Sequence, residues 1–264
     1  MRILMHELRR NAKSLLTWSG ILMLFVVVGF AKFSAWYGNP EMLAMLDAMP
    51  PAMLSALSLR AFNLTTVTGF FGVMAAYYAL LLAIAAVLWG SDVLAREERE
   101  RTAEFTLTLP VTRGRLLTAK LAAVVLCALV LNGVAWGATL LGARGYAPEP
   151  ALAPFVTRTM LALLMLQGIF VSVGICLAAV LPRPRRTVSA AVGVLLGTYF
   201  VSVIAGLDAR VDWLKYLTPF RYVDAGVLLR QGALPPVYRW ISAALIVTLL
   251  AATYLTYQRR DLHL

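Results

Sequence analysis

The chain has 264 residues, of which 61% are hydrophobic and only 14% are charged. Soluble domains average roughly 45–50% apolar and about 25% charged residues, so this composition excludes an ordinary soluble domain and favours a membrane protein. The net charge of +11 does not predict nucleic-acid binding, because membrane proteins concentrate Lys and Arg in their cytoplasmic loops. We therefore expect the lipid bilayer, and no nucleic acid, as a partner.

Residues 1–13 are basic and amphipathic. Leu4 and Leu8 share one helical face, whereas Arg9 and Lys13 lie on another. A helix of this kind lies in the headgroup plane, so we predict an N-terminal interfacial helix over 1–13. Cleavage as a signal peptide is not expected, because no small-residue cleavage site follows the apolar core.

Six long segments of the chain carry no charged residue: 14–31, 61–91, 121–143, 159–182, 187–207 and 240–258. A helix needs about 20 apolar residues to cross the hydrocarbon layer, and lipid offers its backbone no hydrogen bonds. We therefore predict an all-α polytopic membrane protein, a single domain over residues 1–264 with six transmembrane helices. The predicted spans cover about 14–33, 64–89, 120–142, 159–181, 187–207 and 239–258.

A polar block follows the second predicted span. Residues 92–120 hold five of the 13 acidic and six of the 24 basic residues of the chain. The first part favours a helix that continues span two, because its Glu and Arg residues stand at favourable i,i+4 spacing. Pro110 breaks this pattern, and Thr112 is a suitable N-cap for a helix that leads into span three. We predict a loop over 92–118.

Apolar side chains, including Phe105, Leu107 and Leu109, stand where this helical pattern breaks. From the residues alone, two interpretations remain open. The loop is either a solvated segment whose apolar side chains rest on the membrane surface, or a docking site for another protein.

Two further segments are too broken to cross the membrane. Residues 39–59 are apolar, but Pro50 and Pro51 interrupt them, which predicts two short amphipathic pieces on the surface. Residues 208–238 carry balanced charge and are interrupted by Gly232 and several prolines. This pattern predicts short outer amphipathic helices, interfacial or re-entrant, before span six.

The distribution of Lys and Arg predicts the orientation. The N-terminus, the gaps after spans two and four, and the C-terminus together carry fifteen of these residues, Lys120 among them, whereas the opposite side carries nine. Because the positive side faces the cytoplasm, we expect both termini and the 92–118 loop to be cytoplasmic.

Glycines stand four residues apart in two spans, as Gly133 and Gly137 and as Gly193 and Gly197. This spacing allows two helices to approach closely. It serves packing within the chain and an interface between two copies equally well, so both interpretations remain open.

The residues of common catalytic sites are missing. The two histidines, His6 and His263, stand near the termini, and the sequence contains no HExxH, GxSxG or GxxxxGK[ST] motif. We therefore expect no enzyme activity, and neither a cofactor nor a metal on this chain. The spans contain no carboxylate that would suit an ion-driven pump, and their neutral polar residues, such as Asn132 and Gln167, are expected to bond between helices.

The central motif REERERTAEFTLTLPVTRGRLLTAKL resembles the signature of type-2 ABC-transporter permeases, which precedes their third span. HELRRNAKSLLTW is similar to the N-terminal interfacial helix of that family. LKYLTPFRYVDA and YQRRDL are similar to its outer segment and its C-terminal tail. The resemblance covers the whole chain in matching order, with Thr106 where many relatives have Leu.

This resemblance implies a six-helix permease subunit, similar to type V exporters, that pairs with a second permease copy or a paralogue. Each half would dock on a separate ABC ATPase subunit, which would carry the ATP and Mg. The loop after span two would contain the cytoplasmic coupling helix, and the second and fifth spans would line the pathway, with Tyr77, Tyr78 and Tyr199 as lining candidates. The implied ATPase contacts are Glu97, Glu98, Arg101, Thr102, Glu104, Phe105, Leu109, Pro110, Thr112 and Arg113.

From these patterns we predict the permease subunit of an ATP-driven exporter in a prokaryotic plasma membrane. The absence of buried charge favours a hydrophobic or amphipathic cargo, such as a peptide, an antibiotic or a lipid. The alternatives are a membrane anchor or sensor that recruits an ABC ATPase without transport, and a lipid-modifying enzyme scaffold.

Overall fold

A computed structural model describes residues 2–39, 41, 44, 48–50, 62–99, 112–181, 184–207 and 209–259. Every regular element within these ranges is a helix, which confirms the all-α prediction. The long helices are α1 Arg2–Phe33, α2 Val67–Arg99, α3 Arg113–Ala143, α4 Leu152–Val180, α5 Pro184–Leu207 and α8 Pro236–Arg259. The short α6 Pro219–Tyr222 and α7 Ala225–Gln231 precede α8, and 3-10 helices cover Arg144–Tyr146 and Ala209–Tyr216.

The six long helices are each long and apolar enough to cross a membrane, which confirms the prediction of six spans. Several of them continue well beyond the uncharged runs. The 33 residues of α2 correspond to about 50 Å at 1.5 Å per residue, whereas the hydrocarbon layer is about 30 Å thick. The predicted interfacial segment 1–13 is likewise joined to span one without a break, because α1 runs from Arg2 to Phe33.

Two ends of the bundle can be told apart by contacts between helices. At one end, Trp89 Nε1 donates to Ser14 Oγ at 2.9 Å, and the Thr118 and Tyr254 hydroxyls are 2.7 Å apart. We call this the loop end, because the 100–111 segment joins α2 to α3 there. The N-terminal end of α1 and the C-terminal end of α8 also lie here.

Aromatic side chains close the opposite end. Phe33 stacks on Phe70 with ring centroids 4.6 Å apart, and Tyr146 packs on both Phe30 and Phe33. The Tyr146 hydroxyl also donates to the Phe30 carbonyl oxygen at 3.0 Å. A glycine is needed at Gly142, because an added Cβ would stand 2.5 Å from the Phe30 ring.

The centre of the bundle is formed by α2 and α4, whose backbones touch near the loop end. A Cβ on Gly90 would stand 2.5 Å from the Val171 carbonyl oxygen, and one on Gly174 would stand 2.6 Å from that of Val87. Real Cβ atoms do not tolerate such distances, so both positions require glycine. The close approach buries Ala83 of α2 and Leu166 of α4 completely.

The glycines that stand four residues apart in α3 and α5 make no close helix contact within the part of the chain that the structure describes, in contrast to Gly90 and Gly174. A Cβ on Gly133, Gly137, Gly193 or Gly197 would meet nothing within 4 Å among the described residues. These glycines therefore do not serve the packing of α3 and α5 within the described chain. An interface with a second copy remains a prediction.

The short helices at the opposite end are tied to the last turns of α5. Short helices are thus present within 208–238, and their amphipathic, interfacial or re-entrant placement stays a prediction. Thr218 Oγ1 donates to the Thr198 carbonyl oxygen at 2.9 Å, and Arg221 Nη2 donates to that of Ala205 at 3.2 Å. Asp224 caps α7 by accepting from two backbone amides, and Gly232 ends it with a φ of 70°.

Replacing Gly174 by alanine is expected to destabilise the bundle. The new methyl group would stand 2.6 Å from Val87 O and 2.7 Å from Ser91 N, and overpacking a core costs roughly 1–3 kcal/mol. Thermal unfolding of the purified protein in detergent should therefore begin at a lower temperature than in the wild type.

Gly20→Ala in α1 is the matched control, because its methyl group would meet nothing within 4 Å among the described residues. Alanine in a helix is more stable than glycine by roughly 0.5–1 kcal/mol, so this variant should unfold at or above the wild-type temperature. Equal unfolding temperatures for the two variants would contradict the close approach of α2 and α4.

Candidate functional site

Four of the ten predicted ATPase contacts lie within the described residues, at the loop end. Glu97 and Glu98 fall within the last turn of α2, and Thr112 and Arg113 stand where α3 begins. Six of the predicted contacts lie outside the described residues: Arg101, Thr102, Glu104, Phe105, Leu109 and Pro110.

The predicted N-cap at Thr112 is confirmed. Thr112 has an extended backbone, with φ −69° and ψ 147°, and its hydroxyl accepts a hydrogen bond from the Arg115 amide at 3.3 Å. This bond satisfies one of the four amides that a helix leaves unpaired at its start. Helix α3 therefore begins at a defined residue inside the predicted 92–118 loop. Residues 92–99 of that loop belong to α2, and residues 113–118 belong to α3.

A buried ion pair lies just inside the loop end. Lys120 Nζ donates to Glu7 Oε1 at 3.0 Å and to the Val93 carbonyl oxygen at 3.2 Å. The Lys120 side chain is 0% exposed and that of Glu7 is 6% exposed. One ammonium group thus joins three helices, α1 through Glu7, α2 through Val93 and α3 through Lys120 itself.

This pair was not predicted from the sequence, because Lys120 stands among the charges that flank span three and that are ordinarily solvated. A periodic signal was present. Lys120 lies on the same face of α3 as Leu116, Leu117 and Val124, all of which are buried. A lysine on the apolar face of a helix requires a partner, although the spacing does not reveal that the partner is Glu7.

Two further contacts hold α1 to α2. Arg96 is bonded to Asp92 on its own helix, and its Nη2 donates to Asn11 Oδ1 at 3.5 Å. Asn11 is itself buried, and the bond from Trp89 to Ser14 lies one turn further along α1. We call the bonded helix ends the stalk: residues 7–14 of α1, 89–96 of α2 and 113–120 of α3.

The three helices of the stalk are bonded to one another in pairs. Each pair of its three helices is joined by at least one polar bond: α1 to α2 at Ser14, α1 to α3 at Glu7, and α2 to α3 at Val93. The described residues contain no group of three or more His, Cys, Asp or Glu placed to hold a metal ion. A force on the loop would therefore reach three helices together.

The three tyrosines proposed as pathway-lining residues occupy different surroundings. Tyr78 is buried and its hydroxyl is 2.8 Å from that of Thr139, next to a small apolar cavity between α1, α2 and α3. Tyr77 is 40% exposed and packs beside Phe25 of α1. Tyr199 lies on α5, where it packs edge-on against Phe220 of α6.

Some of the neutral polar residues of the spans bond between helices, as Asn132, Gln167 and Tyr78 do. Asn132 Nδ2 of α3 donates to Gln167 Oε1 and to the Met160 carbonyl oxygen of α4, both at 3.1 Å. Ser172 differs, because its hydroxyl donates to the Gly168 carbonyl oxygen of its own helix.

Comparison with known proteins places this architecture in a family. The sequence model of the ABC-2 family transporter proteins matches residues 1–262. A search of curated proteins finds no match to this chain.

Lys120→Met is expected to destabilise the protein strongly, because it leaves the Glu7 carboxylate buried without its partner. Removing one member of a buried ion pair costs about 3–5 kcal/mol. Thermal unfolding in detergent should shift clearly to lower temperature. Arg259→Met, which alters an exposed charge at the same end of the bundle, should leave the unfolding temperature close to the wild type.

The double variant Glu7→Leu with Lys120→Met removes both charges and fills a similar volume. Such replacements of buried pairs are often neutral, or stabilising by about 1–4 kcal/mol. The double variant should therefore recover the unfolding temperature that the single variant loses. If Lys120→Met unfolded like the wild type, the ion pair would not be buried.

Proposed function

Since the chain belongs to the ABC-2 family of transporter proteins, we propose that it is the permease subunit of an ATP-driven exporter. A separate ABC ATPase subunit would bind and hydrolyse ATP with Mg, and would dock on the 92–118 loop. The observation that carries this proposal is the stalk, since the loop joins two helices whose ends are bonded to each other and to α1.

The docking site would combine charged and apolar contacts. The charged candidates are Glu97, Glu98, Arg101, Glu104 and Arg113, and the others are Thr102, Phe105, Leu109, Pro110 and Thr112. Apolar anchors within a charged rim are typical of protein interfaces. The capped start of α3 supports a rigid attachment on the bundle side of this surface.

The cargo would be hydrophobic or amphipathic, such as a peptide, an antibiotic or a lipid. The uncharged runs of the spans offer no ion partner for a charged substrate. The buried Asn132 and Gln167 are already hydrogen-bonded to each other. Tyr77, 40% exposed, is the more accessible lining candidate of α2, while Tyr78 is buried beside Thr139. Tyr199 packs against Phe220 of α6.

The permease would act with a second copy of this chain or with a paralogue. The open glycine faces of α3 and α5 support this step, because they are free of packing among the described residues. The loop end would face the cytoplasm of a prokaryotic cell, as the excess of Lys and Arg there favours.

The purified chain alone is expected to lack ATPase activity, and the complex with its cognate ATPase subunit should hydrolyse ATP. Leu109→Ala with Arg113→Ala should weaken binding of the ATPase subunit about tenfold or more, because truncating a central interface residue costs about 2 kcal/mol. Co-purification and ATP hydrolysis in proteoliposomes measure the two effects.

Arg259→Ala is the control for this experiment, since it removes a basic side chain of the same end from α8, outside the loop. It should leave binding and hydrolysis unchanged. Wild-type binding by the doubly substituted loop would contradict the docking site.

The orientation can be tested in intact cells with a membrane-impermeant maleimide, after Cys127 and Cys176 have been replaced by alanine. Arg239→Cys, at the end opposite the loop, should be labelled. Arg9→Cys should react only after the membrane is permeabilised, because it would face the cytoplasm. Labelling of the two sites in the reverse pattern would contradict the proposed orientation.

A further inference from the structure

The N-terminal part of α1 is tied to both helices that flank the loop. We infer that the Glu7–Lys120 pair makes residues 2–13 a moving part of the coupling apparatus, so that the stroke of the ATPase enters the membrane through α1 as well as α2 and α3. This inference rests on the proposed function, because it takes the 92–118 loop as the docking site.

The geometry of the pair favours positioning. Lys120 Nζ reaches a carboxylate on α1 and a backbone carbonyl oxygen on α2, at 3.0 and 3.2 Å. Hydrogen bonds are directional, so these two fix both the rotation and the height of α1 against α2 and α3. Because the side chains are shielded from water, solvent does not compete for the bonds.

Stability alone does not require charges at this place. Apolar side chains of similar volume commonly replace a buried ion pair without loss of stability. They pack in several arrangements, however, whereas the ion pair is satisfied in one. The buried charges therefore specify the position of α1 relative to the two helices that leave the loop.

A displacement of Glu7 would be carried into the membrane, because α1 is one unbroken helix from Arg2 to Phe33. Phe25 lies 18 residues further along, which corresponds to about 27 Å at 1.5 Å per residue. Its ring packs against Tyr77 and Tyr78 of α2. The pair thus links the loop to the aromatic contact between α1 and α2 deep in the bundle.

Hydrogen–deuterium exchange of the complex with its ATPase subunit tests this inference without knowledge of the cargo. Nucleotide-free complex is compared with complex trapped by ATP and vanadate. In the wild type, trapping should change deuterium uptake in both 2–13 and 113–120, by about twofold or more in rate. In Glu7→Leu with Lys120→Met, the change should persist in 113–120 and be clearly reduced, though not lost, in 2–13, because Asn11 and Ser14 still bond α1 to α2.

The double variant separates positioning from stability, because it is expected to unfold like the wild type and yet to show a reduced response of α1. Arg221→Met is the matched control, since Arg221 forms an ion pair with Asp224 at the opposite end. It should keep both nucleotide-dependent changes.

A wild-type change confined to 113–120, or a double variant that keeps both changes at wild-type size, would overturn the role of the pair and leave the proposed function intact. Wild-type complex that hydrolyses ATP but shows no change in either segment would overturn the docking site and the inference together.

Discussion

Lipid offers a polypeptide no hydrogen bonds, and this constraint decides what the bundle does with its polar groups. The long helices satisfy their own backbones. Some buried side chains find partners on neighbouring helices, as Asn132 does with Gln167 and Tyr78 with Thr139. Others, such as Ser172 and Thr253, bond to carbonyl oxygens of their own helix. Each of these inter-helix bonds is directional and so restricts the relative position of two helices more than apolar contacts do.

Apolar packing places α2 and α4 at the centre of the bundle. In the apolar 18-residue stretches of α2 and α4, 61% of the residues are buried. In the corresponding stretches of α1, α5 and α8, only 17% are buried. The close approach at Gly90 and Gly174 explains this difference, because it brings two backbones into contact. The same α2 continues beyond its uncharged run to Arg99. The helix that leads into the loop is therefore one of the two most firmly held in the bundle.

Much of this fold could be predicted from the sequence, because hydrophobic length is a property of one segment at a time. The six spans followed from the uncharged runs, and the start of α3 followed from Pro110 and Thr112. The close helix contact could not be found in this way. Gly133 and Gly137 have the familiar spacing yet face open space, whereas Gly90 and Gly174 carry no shared pattern, since they meet only in three dimensions.

The charges of the candidate site were likewise only partly predictable from the sequence. Counting Lys and Arg treats every charge at a span end as solvated, but Lys120 is buried and bonded to Glu7. Removing it from the count leaves fourteen against nine, so the predicted orientation does not depend on it. Lys120 directly precedes the uncharged run 121–143, and there side chains of three helices exclude water together. Under the proposed function, motion of a separate ATPase would pass through this region, since solvated ion pairs are too weak to transmit it.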